Sequence, residues 1–300
     1  MNSERNKLYT TFLHSFFSIF ASARAYTIFI LVIAQYLSAR YILAPQFSWW
    51  THLTDKHLFF LVLSSSLAIA AGYLINNFYD AEKDQINRPQ QYLIHQIVSI
   101  RKQLFLYAFL NLISLVLAAS VSFRALLFFF IYIGGIWLYS HLLKKEFWAS
   151  NLFAAFLAIT PFFAIGLYYD NMTIWVLYHA LFLFIIILVR DLVKDLKNFR
   201  GDWVRQYKTV AITFGVIITK QILSALILFS FIPIFKMIQH RDLLGGMYFY
   251  FILCVPYLLV ILILIWRSTT QKAYLWIHNL LKFLILAGVF CIVFIRTSLH

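Results

Sequence analysis

Charged side chains divide this chain into nine apolar runs, each long enough to cross the roughly 30 Å hydrocarbon core of a bilayer. They cover residues 27–44, 58–78, 103–119, 125–142, 148–167, 172–193, 210–235, 247–266 and 274–294. Inside hydrocarbon a backbone has no water to bond, so each run is predicted to be an α-helix. Composition points the same way. Of the 300 residues, 63% are hydrophobic and 12% charged, more apolar surface than a water-soluble core could hide. The expected fold is therefore an all-α integral membrane protein of nine transmembrane helices in a single domain, 1–300, with 1–24 as a cytoplasmic or interfacial segment. Pro161 and Pro256 lie inside runs and predict kinks in the fifth and eighth helices.

Orientation follows from the basic residues, which favour the cytoplasmic side. With the N-terminus inside, 17 Lys and Arg fall in inner segments and 6 in outer ones; Lys220 and Lys282 lie within runs. The net charge of +14 is largely this bias. No soluble basic domain is visible, so nucleic acid is an unsuitable partner, whereas anionic lipid and an anionic substrate suit the charge. The expected location is the cell inner membrane. The start of the chain loosely imitates a signal peptide: Arg5 and Lys7, then 8–20, then Ala21-Ser22-Ala23. Thr10, Thr11, His14 and Ser15 interrupt its apolar stretch, and cleavage would invert the charge bias, so an amphipathic surface helix is preferred. Cys254 and Cys291 form no motif and read as small packing residues.

Six of the eleven acidic residues fall in two short windows separated by four crossings, which puts both windows on the cytoplasmic face. In the first, Asn76, Asp80 and Asp84 recur every fourth residue. On a helix they form one stripe about 12 Å long. Such hard oxygen donors suit Mg²⁺, which accepts one or two carboxylates, keeps several waters and completes its shell with phosphate oxygens. Arg88 follows one turn later, where it could hold phosphate directly. In the second window Asp191 and Asp195 share a face, and Asn198 and Asp202 continue around it before the chain is expected to leave the helix near Gly201. Either window alone could be a solvated helix end. Two on the same membrane face point to a divalent metal site that grips a phosphate group.

The pattern Asn76-x3-Asp80-x3-Asp84-x2-Asn87-Arg88-Pro89, with Asp191-x3-Asp195 and Gly201-Asp202, resembles the UbiA superfamily of intramembrane prenyltransferases. The likeness extends to Tyr139-Ser140-x2-Leu143-Lys144, to Asn151 and to Tyr207-Lys208-Thr209, and so covers nearly the whole chain. It implies nine helices around a central cavity open sideways to the bilayer. It also implies that Mg²⁺ on the two Asp motifs binds the diphosphate of a prenyl donor. Under that resemblance Asp80, Asp84, Asp191 and Asp195 are the catalytic carboxylates. The metal ligands are drawn from Asn76, Asp80, Asp84, Asp191, Asp195 and Asp202. The substrate is held by Asn76, Arg88, Tyr139, Ser140, Lys144, Asn198 and Lys208. The local flavour resembles the branch that includes geranylgeranylglyceryl phosphate prenyltransferases more than the ubiquinone enzymes. Departures are Asn77 and Asn198, where many members have acids, and Gln90, Gln91 and His95 after the Asn-Arg-Pro stretch.

The expected reaction is electrophilic. Arg88 and Lys144 stabilise charge on the departing diphosphate, and the allylic cation is trapped by an aromatic or lipid-like acceptor. Tyr73, Tyr79 and Tyr139 could shield that cation by their π faces. Two alternatives remain at this point: a catalytically impaired relative marked by Asn198, and a polytopic transporter with an acidic cation site. A CDP-alcohol phosphotransferase is excluded by the lack of an Asp-Gly-x2-Ala-Arg stretch.

Overall fold

The structure is a computed structural model that describes residues 24–87, 89, 92–93, 98–146 and 150–296. The expected surface helix before residue 24, Arg88, and the residues Gln90, Gln91 and His95 lie outside the described residues. All regular structure among the described residues is helical. In chain order it comprises α1 (Ala25–Ser38) running into a π turn (Ala39–Leu43), α2 (Trp49–Thr54), α3 (Lys56–Asn87) and α4 (Ile100–Val121). Next come α5 (Phe123–Leu138) with a second π turn (Tyr139–Leu143), α6 (Lys144–Glu146), α7 (Ser150–Tyr168) and α8 (Ile174–Val204). The chain closes with α9 (Val210–Ile238), α10 (Arg241–Leu244), α11 (Met247–Arg267) and α12 (Gln271–Cys291), followed by a 3₁₀ turn (Ile292–Phe294). Among the described residues nine helices are long and apolar enough to span a membrane, one for each apolar run. The chain is an integral membrane protein.

Side chains fix where these helices begin. Ser48 caps α2, Ser122 caps α5, Thr209 caps α9 and Thr270 caps α12, each accepting from the backbone N–H three residues on. Ser122 thus starts α5 just before Arg124. Pro161 and Pro256 sit inside continuous helices, as does Pro233. The break in α9 falls instead at Gly215, whose φ of 83° and ψ of 168° suit a residue without a Cβ. Two helices greatly outrun their apolar stretches: α3 has 32 residues and α8 has 31. At 1.5 Å per residue each is well over 40 Å long, so its last turns carry polar side chains beyond the hydrocarbon.

The helices gather into two compact units. One takes the described residues up to Val32 with Phe60–His141; the other takes Ile33–Phe59 with the described residues from Leu142 onward. In the first unit α4 packs on α5. Ser64 and Ser114 clasp α3 to α4 reciprocally, Ser64 Oγ donating to Ser114 O at 3.0 Å and Ser114 Oγ to Ser64 O at 2.8 Å. Hydrogen bonds of this kind between membrane helices are each worth about 0.6–2 kcal/mol. Gly72 lets α3 approach α5, because a Cβ there would lie 2.8 Å from Ile136 Cγ2. Phe105, Phe109, Phe130 and Ile131 are exposed, as a lipid-facing surface requires.

In the second unit α8 packs on α7, α9 and α12, and α11 packs on α9 and α12. Five successive residues of α8, Ile185–Val189, are buried, the mark of a helix enclosed on all sides. Lys220 lies in an apolar span and reaches the end of α11, where its Nζ donates to Ser268 O at 2.8 Å and Trp266 O at 3.3 Å. Tyr274 donates to the same Ser268 carbonyl at 2.9 Å. A cation at a helix C-terminus satisfies carbonyls that the helix leaves open.

The opposite end of this unit holds a second polar knot. Asp55 caps α3 through the N–H groups of His57 and Leu58 at 2.9 and 3.1 Å, and accepts from Tyr168 at 2.9 Å. Where the first π turn ends, Asn171 Nδ2 donates to Leu43 O at 2.6 Å and Arg40 to Pro45 O at 2.9 Å. His52 Nε2 lies 3.3 Å from Ala44 O and Nδ1 lies 2.9 Å from the Tyr169 hydroxyl. A carbonyl only accepts, so Nε2 carries the proton and Tyr169 donates to Nδ1. Burial, outweighing the Ala44 hydrogen bond that acts the other way, lowers the His52 pKa from its usual value. Burial and then the Asp55 charge raise that of the Tyr169 phenol.

The folded state thus favours neutral His52, so its stabilising contribution is full above an unfolded imidazole pKa of about 6.5 and fades as pH falls through it. Thermal unfolding in detergent between pH 8 and 5 should show this loss, and His52→Gln should flatten it. Lys220→Met should lower unfolding stability by about 2 kcal/mol, the scale of a hydrogen bond from a charged group.

Candidate active site

The polar end of α3 supplies the first cluster. Asn76, Asp80 and Asp84 follow one another along one face, as the four-residue spacing requires. Asn76 Nδ2 donates to Asp80 Oδ2 at 3.1 Å, which orients the carboxylate. Asp80 and Asn77 are buried and Asp84 is half-buried. The second π turn belongs to the same region of the chain. It holds Tyr139 half-buried and Ser140 buried. Such turns insert extra backbone into a helix and recur at functional sites. Nothing in the residue pattern announces one here.

The polar end of α8 supplies the second cluster. Arg190 Nε and Nη2 both donate to Asp191 Oδ1, at 3.1 and 3.0 Å. Both bonds go to the same carboxylate oxygen. Asp195 and Asn198 are buried, and Asp202 is fully buried. Asn151, at the start of α7, donates from Nδ2 to Asp195 Oδ2 at 2.5 Å. The sequence marked Asn151 but gave it no partner; the structure gives it one. His278 from α12 bears on the same stretch, its Nδ1 lying 3.4 Å from Arg190 O. The end of α8 is therefore braced from both neighbours, α7 and α12.

The loop that follows is anchored as well. The Tyr207 N–H bonds to Asp202 O at 3.0 Å and the Lys208 N–H to Lys145 O at 2.8 Å. Lys145 Nζ lies 5.9 Å from the centre of the Tyr207 ring. Thr209 closes the motif as the cap of α9, its Oγ1 accepting from the Ile212 N–H at 3.4 Å. So in Tyr207-Lys208-Thr209 the tyrosine is buried, the threonine shapes the backbone and the lysine remains exposed. Lys144, just after the second π turn, is half-buried.

Both clusters offer only oxygen donors of the hard kind. Among the described residues no three His, Cys, Asp or Glu side chains form a ready-made cage. That donor set fits Mg²⁺, which binds through one or two carboxylates and leaves its remaining positions to water and phosphate. Asp80, Asp84, Asp191 and Asp195 could each furnish a carboxylate and Asn76 a carbonyl.

The fold and these two acidic helix ends define a class: the chain belongs to the UbiA prenyltransferase family, whose family model matches residues 32–286. Members of that class are enzymes that transfer prenyl groups. Among its relatives, a digeranylgeranylglyceryl phosphate synthase of Sulfurisphaera tokodaii is 30% identical over 70% of this chain and 77% of its own. One from Saccharolobus solfataricus is 30% identical over 62% of this chain and 68% of its own. In three dimensions the chain resembles a UbiA homolog from Aeropyrum pernix, with a TM-score of 0.70, 17% identity and coverage of 90% and 96%. A homolog from Archaeoglobus fulgidus, solved with GPP and Mg²⁺, gives a TM-score of 0.65 at 14% identity, with coverage of 92% and 99%. At such identities these structures speak to the fold alone.

The Asn151–Asp195 contact makes a direct prediction. Asn151→Asp would set two carboxylates against each other and should reduce prenyl transfer in membranes more than Asn151→Ala does. Asn151→Ala should itself cost about 1–3 kcal/mol of unfolding stability.

Proposed function

We propose that the chain is a Mg²⁺-dependent intramembrane prenyltransferase that moves an isoprenoid chain from a prenyl diphosphate to a lipid-like hydroxyl acceptor. The observation that carries this reading is the pair of all-oxygen acidic stripes at the ends of α3 and α8. The relatives from Saccharolobus solfataricus and Sulfurisphaera tokodaii, named digeranylgeranylglyceryl phosphate synthase, suggest geranylgeranyl diphosphate as donor and geranylgeranylglyceryl phosphate as acceptor. The basic-residue bias supports a cytoplasmic N-terminus and cytoplasmic stripes, and the cell inner membrane is the location this reading takes. The whole of 1–300 is read as one functional domain.

In this reading Asn76, Asp80, Asp84, Asp191, Asp195 and Asp202 form the pool of metal ligands. Held there, Mg²⁺ would supply positive charge to a diphosphate leaving group. Asn76 holds Asp80 in position from one side; Asn151 does the same for Asp195. Arg190 engages one oxygen of Asp191, and in this reading the other oxygen serves the metal. Arg88, Tyr139, Ser140, Lys144, Asn198 and Lys208 contact the substrate, the cations stabilising charge that develops on the departing diphosphate. Asn198 brings no charge where many members have an acid, and in this reading Asp195 and Asp202 supply the negative charge instead.

The test is thermal stabilisation of the detergent-purified chain by a non-hydrolysable prenyl diphosphate, with and without Mg²⁺. Ligand at a hundredfold excess over Kd should stabilise by about 2.7 kcal/mol. The effect should require Mg²⁺ and disappear in Asp80→Ala and Asp191→Ala. Stabilisation without Mg²⁺, or its survival in both variants, contradicts the assignment.

A further inference from the structure

His141 is the histidine that the described structure places beside an acidic stripe with both ring nitrogens unused. It lies in the second π turn, next to Ser140, and its side chain is exposed. Its ring stacks on Trp137, with centroids 5.0 Å apart and planes 13° apart. Its other neighbour is Tyr79 of α3, with ring centroids 5.1 Å apart at 59°. Neither nitrogen has a hydrogen-bond partner among the described residues. Tyr79 directly precedes Asp80 and stands three residues after Asn76, so on a helix it flanks the Asn76–Asp80–Asp84 stripe.

The remaining histidines of the described residues are occupied or placed elsewhere. His278 faces the Arg190 carbonyl, His179 is buried in mid-span against Trp175 O, and His52 is held by Ala44 and Tyr169. His57 and His240 lie against Tyr168 and Trp175.

Resting on the proposed prenyl transfer, we infer that His141 is the proton acceptor for the acceptor hydroxyl. The step balances as follows in chemical terms. The bond between the allylic carbon and the diphosphate oxygen breaks, and its electron pair leaves with the diphosphate. The acceptor hydroxyl oxygen gives a pair to that carbon to form an ether, and its proton passes to the imidazole and then to water. The aromatic faces of Trp137 and Tyr79 stabilise the imidazolium that results, as ring quadrupoles do for a neighbouring cation. The π turn adds backbone at the end of α5, where the His141 ring lies against Tyr79 of α3.

The experiment compares wild type, His141→Phe and His141→Ala in detergent with geranylgeranyl diphosphate, geranylgeranylglyceryl phosphate and Mg²⁺. His141→Phe retains an aromatic ring between Trp137 and Tyr79 but has no lone pair. Both variants should lose about a hundredfold or more in kcat, the usual contribution of a positioned base. Both should keep the Mg²⁺-dependent donor stabilisation of wild type, which shows them folded and donor-competent. Added imidazole should restore turnover in His141→Ala and leave His141→Phe unchanged. Turnover of His141→Phe within about a factor of three of wild type overturns the role of His141 while leaving the donor site intact. Failure of imidazole to restore His141→Ala overturns it too. Absence of donor stabilisation in wild type removes the prenyltransferase reading and this inference together.

Discussion

A backbone inside hydrocarbon must satisfy its own hydrogen bonds, and the architecture of this chain follows from that requirement. It makes every crossing a helix and concentrates the difficulty at helix ends, where four N–H and four C=O groups lose their partners. The chain meets it with side chains. Ser48, Ser122, Thr209 and Thr270 take up the open donors. Lys220, Tyr274, Asn171, His52 and Arg40 take up the open acceptors. A polar residue at a helix end thus has a structural duty by default, and a functional role has to be argued against it.

The acids at the ends of α3 and α8 stand apart from this pattern. Asp55 shows what a structural acid looks like, capping two backbone N–H groups at a helix start. Asp80, Asp84, Asp191 and Asp195 lie towards helix C-termini, where the helix dipole disfavours negative charge. Stability would place cations there. The chain instead extends α3 and α8 by several turns past their apolar stretches and holds Asp80 and Asp195 in place with asparagine amides. Carboxylates set against the helix dipole are not explained by helix stability, and Arg190 rather than the helix end compensates Asp191.

The crossings were legible because charge is expensive in lipid, so the apolar runs delimit themselves. The acidic stripes were legible for the same reason, together with a spacing that only a helix makes meaningful. Arg88 and residues 1–23 lie outside the described residues. Kinks were less legible. Proline promised them at Pro161 and Pro256, whereas the non-helical residue in α9 is Gly215. Membrane helices tolerate proline when polar neighbours bond the backbone around it, and beside this one Gln35 Nε2 donates to Pro161 O at 3.3 Å. Both π turns escaped the sequence entirely, since an inserted residue leaves no change of composition behind. The partners of Asn151, Lys220 and His141 escaped it too, because each contact joins separate helices and depends on packing that the spacing along one helix does not encode.

The central claim is that the acidic ends of α3 and α8 bind divalent metal together with a prenyl diphosphate. Its most direct test is anomalous diffraction from crystals grown in lipid with Mn²⁺ and a non-hydrolysable prenyl diphosphate. The account predicts Mn²⁺ peaks within coordination distance, about 2.0–2.3 Å, of Asp80 or Asp84 and of Asp191 or Asp195, each also ligated by diphosphate oxygen. Diphosphate bound with no metal at these carboxylates, or Mn²⁺ bound elsewhere, would contradict it.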